Sequence, residues 1–484
     1  MRRSLLVCTA IMGGVLGWAA LATAAGPPPS ELQGTLPTKA SAGAYAIENN
    51  NDQAKMLDGP VANPTPGTMV IRIGARVQAG FVAGWTNLNN YTAPGGASNE
   101  LYPYNFYEWA RLYPGMDAMA ANGLRYGGAV ELRQNFGPPT STTTSSGGSA
   151  YSTSQTVYVR REFLYLAGEN WGLLRFGEAD GLIGIFDAGG STTGVYLSPS
   201  GTFVAGDLET LFPSNAWMTA YFAAQSGNEY ANMKLVYLSP SFNGFDFGLQ
   251  YAPDGFNGYA NGSCTSAASD TGCPNLASTA TPNIGSRMKD QFAAGMRYNN
   301  VLGGVKVLAY GVYMTSGHTN YTGSPTAAGL GSVRSGTAGG YNGQFDGLNL
   351  GMMGFNLTYA GFSLFGNTML GAYNGILALR PQGGVGGAGW GVGVRYANGP
   401  YTIGGAYTAY DSQGDVRLVG VSQRHEQAMV IAGTYTVAAG LTVFADYQYG
   451  TRYQGGYNFA TGENSSSVNH VQAQGLLLGT VMKW

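Results

Sequence analysis

Apolar and polar residues alternate along this chain in segments of about ten residues, from Met69 to the C-terminus, and this period of two constrains the fold more than any other feature. In Phe245-Asp246-Phe247-Gly248-Leu249-Gln250-Tyr251 every odd residue is apolar and every even one is polar or Gly. Trp390, Val392, Val394 and Tyr396 alternate with Gly391, Gly393 and Arg395. Leu441, Val443, Ala445, Tyr447 and Tyr449 do so with Thr442, Asp446, Gln448 and Gly450, and only Phe444 breaks the rule. Such a period sends successive side chains to opposite faces of a strand. The segments come in pairs joined by very short turns, such as Asn243-Gly244 and Asn398-Gly399-Pro400. Longer Gly/Ser/Thr/Asn-rich stretches separate the pairs. A soluble sandwich alternates too, but long strands with short turns at one end and long loops at the other are the layout of a transmembrane barrel.

Composition supports a membrane address. Only 10% of the 484 residues are charged, against about 25% in a soluble globular protein. The 12% aromatic content excludes a disordered chain. Arg2 and Arg3, the apolar stretch from Leu5 to Leu21 and the small-residue site Ala22-Thr23-Ala24 read as a secretory signal over 1–24. Beyond it no apolar run approaches the roughly 18 residues of a spanning helix. The mature chain is slightly acidic and carries no basic patch for nucleic acid. Residues 25–67, rich in Pro, Ala, Asn and Gly without any period, are expected to be a flexible periplasmic extension. Cys8 leaves with the signal. Cys264 and Cys273 flank a short Ser/Ala/Asp/Gly loop of an exported chain, so a disulfide is expected. No His lies near them to make a zinc site.

Residues 68–484 then form an all-β, antiparallel transmembrane barrel of about sixteen strands. The expected spans are 69–85, 104–120, 124–136, 155–167, 172–179, 230–242, 245–253, 289–299, 305–316, 345–359, 362–374, 389–397, 401–411, 424–437, 441–453 and 468–484. A bilayer offers no partner to bare backbone groups, so the sheet must close, and sixteen strands leave room for water. Parity assigns Val, Ile, Leu, Phe, Tyr and Ala to the outward face. It assigns Arg72, Arg76, Arg111, Arg125, Arg133, Lys234, Arg297, Lys306, Arg395, Asp446 and Arg452 to the inward one. On the lipid face, charges near the midplane would cost roughly 2–4 kcal/mol each.

Three segments carry a resemblance. The closing strand Val468–Trp484, ending GLLLGTVMKW, resembles that of Gram-negative porins, whose terminal aromatic residue is thought to be read by the barrel-assembly machinery; here that residue is Trp484. RREFLYLAGENWGLLRFGEADG, residues 160–181, looks like the porin strand–turn–strand unit that leads into the third long loop. YEWARLYPGM, residues 107–116, resembles the second strand with its pore-lining Arg. The resemblance, to trimeric general porins, covers about 415 residues in layout. It implies a homotrimer in the outer membrane of a Gram-negative bacterium, in contact with outer-membrane lipid, passing small hydrophilic solutes and ions. It also implies that the third long loop, about 180–229, bends inward and sets carboxylates against an arginine ladder. GDLETLFP, residues 206–213, is similar in character to the family's constriction segment. Asp207 and Glu209 carry over as constriction acids, with Asp187 as a further candidate. Arg72, Arg76, Arg111 and Arg160 carry over as the basic wall. For Arg160, parity then puts Phe163 and Tyr165 on the lipid face, with Arg161 as the rival. The chain departs from the family at Glu178, where many members carry Arg after the Gly, which leaves the ion preference open.

No cofactor, metal site or enzyme is expected. His318, His425 and His470 lie in no motif with a Ser or Cys nucleophile. Nucleophile elbows and phosphate-binding loops are absent. The alternatives are a substrate-selective channel for sugars or anions, for which Trp109 and Tyr113 share the inward face with Arg111, and, more remotely, a barrel enzyme.

Overall fold

In the computed structural model, the described residues are 64–88, 90–92, 98–134, 141–143, 149–151, 157–187, 232–254, 278–279, 288–322, 345–375, 379–414, 421–462 and 464–484. Sixteen strands close into one antiparallel barrel, each hydrogen-bonded to its neighbours in sequence. They are β1 (Thr68–Thr86), β2 (Tyr104–Met119), β3 (Arg125–Gln134), β4 (Val157–Gly168), β5 (Gly172–Glu178), β6 (Met233–Leu238), β7 (Phe245–Asp254) and β8 (Met288–Leu302). The second half comprises β9 (Val305–His318), β10 (Asn349–Tyr359), β11 (Phe362–Ala372), β12 (Gly387–Asn398), β13 (Tyr401–Ser412), β14 (Arg424–Ala438), β15 (Leu441–Gln454) and β16 (His470–Lys483). Every expected strand is present. The expected span 230–242 shrinks to β6, because Ser239 and Pro240 end the ladder and proline has no N–H to donate. Outside the barrel, the described residues form three two-stranded pairs. No helix among them is long and apolar enough to cross a membrane.

Closure is made by β1 and β16, in a register that runs from Arg76 opposite Lys483 to Thr86 opposite Ala473. Ala75 and Trp484 exchange backbone hydrogen bonds at 3.1 and 3.2 Å, so pairing reaches the last residue. The barrel sheet itself therefore has no free edge. The turns at the end shared by Thr68 and Trp484 are short. At Asn243-Gly244, φ values of 52° and 88° fit the tight turn that joins twisted antiparallel strands. The connections at the opposite end are long.

The outward face is apolar. Ile71, Ile73, Leu164, Phe176, Leu249, Met353, Val394 and Ile431 are all exposed there. Aromatic pairs mark both margins: Phe362 with Tyr396 at 4.4 Å and Tyr401 with Tyr435 at 4.8 Å by the short turns, and Tyr102 with Tyr104 at 4.9 Å by the long loops. Such girdles sit at membrane–water boundaries.

The inward face carries charge, as parity requires, but also apolar side chains. Phe444 is buried on it, together with Phe365 and Leu477. The parity assigned to β4 is wrong beyond Arg160: Phe163 and Tyr165 point inward and are buried, while Leu164 and Leu166 are exposed outside. The cause is a β-bulge. Glu131 pairs with Arg161 and Leu132 with Val159, so Arg160 is the extra residue. A bulge sets two consecutive side chains on one side and reverses the alternation that follows. Arg160 and Arg161 therefore both point inward.

Candidate functional site: an arginine row and an inward helix

The first five strands bring eight arginines to the inside of the barrel: Arg72 and Arg76 on β1, Arg111 on β2, Arg125 and Arg133 on β3, Arg160 and Arg161 on β4, and Arg175 on β5. Their described inward carboxylates are Asp117 and Glu131, joined by Asp180 just past β5. Arg76 lies opposite Arg111, and Arg111 opposite Arg133, so three guanidinium-bearing residues share one cross-strand row. Like charges set directly opposite destabilise a sheet, so the row needs compensation. Part of it comes from Trp109, buried on the same face, with Arg111 stacked 4.0 Å and Arg76 4.7 Å from its ring centre. A further part comes from Glu131, which accepts from Arg133 at 2.5 Å, from Arg160 at 3.4 Å and from Arg161. Arg72 pairs with Asp117 at 2.9 Å, and Tyr165 donates to the same carboxylate. Arg111 Nη1 and Arg133 Nη2 make no hydrogen bond among the described residues.

Beyond β5 the chain turns into the barrel. Ala179 and Asp180 are buried, and Leu182–Asp187 forms a short helix, α1, every residue of which is buried. Four polar groups fix its root. Lys234 donates to the Ala179 carbonyl at 2.5 Å, Arg175 to the Asp180 carbonyl, Arg161 to the Asp180 carboxylate, and the Leu182 N–H to Gln250 Oε1 at 2.7 Å. At the far end Asp187 accepts from Tyr310 and, at 3.1 Å, from Asn367. Leu182, Ile183, Ile185 and Phe186 join one buried cluster with wall residues of β8 to β11 such as Ala293, Leu308, Met352 and Met369. The approach requires glycine on the wall: a Cβ at Gly248 would strike Leu182, and one at Gly295 would lie 2.9 Å from the Phe186 ring. Arg297 lies 4.8 Å from the same ring and is held by Asp246 at 3.2 Å.

The two parts are linked, because Glu131 and Asp180 share Arg161. Of the residues named from sequence, Arg72, Arg76, Arg111 and Arg160 lie on this inner wall. Asp187 sits at the end of α1, across the barrel from β1 to β3. Trp484 closes the β1–β16 seam with its side chain exposed outside. Asp207, Glu209, Cys264 and Cys273 lie outside the described residues. The sequence reading placed Arg133 inward but gave it no role in the row. It missed Glu131 and Asp180 as the links; parity alone puts Glu131 beside Arg133, two residues along one strand.

A family model described as Gram-negative porin matches residues 72–455. The chain belongs to the Gram-negative porin family. This porin is thus a channel of the Gram-negative outer membrane, crossed by sixteen strands. Among solved structures, the anion-selective porin from Comamonas acidovorans is similar at 13% identity, covering 86% of this chain and 100% of that one with a TM-score of 0.48. OmpF of Salmonella typhi, in complex with daunomycin, is similar at 13% identity, with 86% and 97% covered and a TM-score of 0.48. The trimer form of OmpT from Vibrio cholerae is similar at 12% identity, with 86% and 100% covered and a TM-score of 0.43. A search of the curated proteins finds no match.

Proposed function

We propose that this porin passes small hydrophilic solutes by diffusion with a preference for anions, carried by the row Arg76–Arg111–Arg133. The surplus of arginines over carboxylates on β1 to β5 holds a positive potential along one side of the lumen. Wet, partly screened charges about 4 Å apart interact by roughly 1–4 kcal/mol, enough to bias which ion enters. Asp207 and Glu209 would face this row from the inward loop and reduce the preference without reversing it. Asp187 is spent on Tyr310 and Asn367 and acts as an anchor of the loop. A sugar channel needs open aromatic faces on the wall, whereas the Trp109 ring is flanked by two guanidinium groups. The chain is read as a channel and not as an enzyme, since His425 pairs with Asp411 on the outer rim at 2.5 Å, away from the lumen.

The outward face of β2 to β5 supports a homotrimer. Glu162 lies there opposite the buried Glu178, and Glu108 also points outward, below the aromatic margin of Tyr104 and Phe106. Carboxylates bare to acyl chains are disfavoured, and a neighbouring subunit would shield them. Cys264 and Cys273 are proposed to form a disulfide.

The test is the reversal potential across a planar bilayer in a salt gradient. The native protein is expected to favour the anion. Arg76→Gln with Arg111→Gln should move the potential toward cations, most at low salt where screening is weakest. An unchanged potential would mean that the row does not select.

A further inference from the structure

Two thioethers and an imidazole meet on the inner wall at the long-loop end of β8 and β9. Met288 pairs in register with His318, and Met314 lies two inward positions before His318 on β9. Met288 and Met314 are buried, and His318 is half-buried. Gln291 Nε2 donates to Met314 Sδ at 3.2 Å and reaches Met288 Sδ at 3.9 Å, so both sulfurs gather about one nitrogen. That amide is oriented from its other end. Gln291 Oε1 accepts from Gln250 Nε2 and from Asn232 Nδ2, each at 3.3 Å, and Gln250 Oε1 accepts from the Leu182 N–H at the root of α1. The acceptor end of Gln291 is thereby used, and its donor end faces the sulfurs. His318 makes no hydrogen bond or ion pair among the described residues.

Buried methionines ordinarily fill gaps in a core, and Met352 and Met369 do so beneath α1. Met288 and Met314 differ, because a buried amide N–H is spent on two weak acceptors. A thioether sulfur has two lone pairs, so each can accept from Gln291 and keep one pair for a metal. Thioethers select Cu(I), and imidazole suits copper as well, whereas hard divalent cations take oxygen ligands. The donor set is neutral, so a monovalent ion brings a single charge into a wall where buried charge is costly. We propose that Met288, Met314 and His318 form a site for Cu(I), across the barrel from the arginine row and separate from it. Thioethers on different strands carry no spacing signal, which is why the sequence pointed to no metal here.

Native mass spectrometry of the detergent-purified protein, titrated with Cu(I) under ascorbate and separately with Zn(II), tests this. The native protein should retain a single Cu(I) per chain against a competing chelator. Met288→Leu with Met314→Leu, which keeps the volume of the wall, should lower that retention at least several-fold. His318→Gln should give an intermediate loss. Met296→Leu with Met353→Leu, which removes two exposed thioethers from the outer face, should retain Cu(I) as the native protein does. Heat-modifiable mobility and the circular dichroism spectrum, unchanged in all variants, are the check on folding. Equal Cu(I) retention in the native protein and in the Met288→Leu, Met314→Leu variant would overturn the site. Retention of Zn(II) as strong as that of Cu(I) would overturn the assignment of the metal.

Discussion

Glu131 is the residue on which the inner wall's electrostatics turn. Fully buried, it answers Arg133, Arg160 and Arg161 at once. Removing its charge leaves Arg161 with Asp180 and takes this carboxylate from Arg133 and Arg160, and breaking a buried pair in this way costs about 3–5 kcal/mol. Glu131→Gln should therefore lower the denaturant concentration or temperature at which the barrel unfolds, followed by its heat-modifiable electrophoretic mobility. The same variant should shift the reversal potential further toward anions. Stability equal to the native protein would show that the pairs are replaced by water. At this scale the sequence was only partly legible. Alternation gave the inward direction of Arg72, Arg76 and Arg111 because those strands are regular. It failed at Phe163 and Tyr165, where a single extra residue at Arg160 reverses the faces, and two adjacent arginines in a sequence do not say that a bulge will let both turn inward.

At the scale of elements, α1 is held at both ends and pressed against the wall between. Phe186→Ala removes a fully buried ring, a change that costs about 3–5 kcal/mol in a packed core, and Asp187→Ala takes the acceptor from Tyr310 and Asn367. Combined, they should free the segment from the wall while β1 to β16 stay paired. Single-channel recording should show a larger and noisier conductance, with an unchanged circular dichroism spectrum. A native conductance would mean that α1 does not narrow the path. The strands themselves were legible in the sequence, since hydrophobic period, turn residues and loop length all agree along the chain. The helix was not. Six residues are too few to show a helical period, and the need for glycine at 248 and 295 is visible only when the loop is seen to enter the barrel.

For the whole molecule, the closed sheet explains why a chain with so few charges is stable in a membrane: every strand has two partners and its outer side is apolar. Among the outward acids are Glu162 on β4 and, nearer the long loops, Glu108 on β2. Cross-linking in mild detergent should give a trimer band, and Glu162→Leu should leave the monomer barrel folded. A monomeric mass in several detergents would contradict the shielded face. Closure and strand number were readable from the alternation, the short turns and the last strand. The outward acids were not used, because their significance depends on which strands adjoin.

The central claim, that this barrel is an open diffusion path, is tested most directly by conductance and solute flux of one preparation. Reconstituted protein should insert into a planar bilayer in discrete steps with a linear current–voltage relation, and liposomes containing it should swell in small sugars and amino acids without saturation. Saturation by one solute at low concentration, or insertion without conductance, would contradict it.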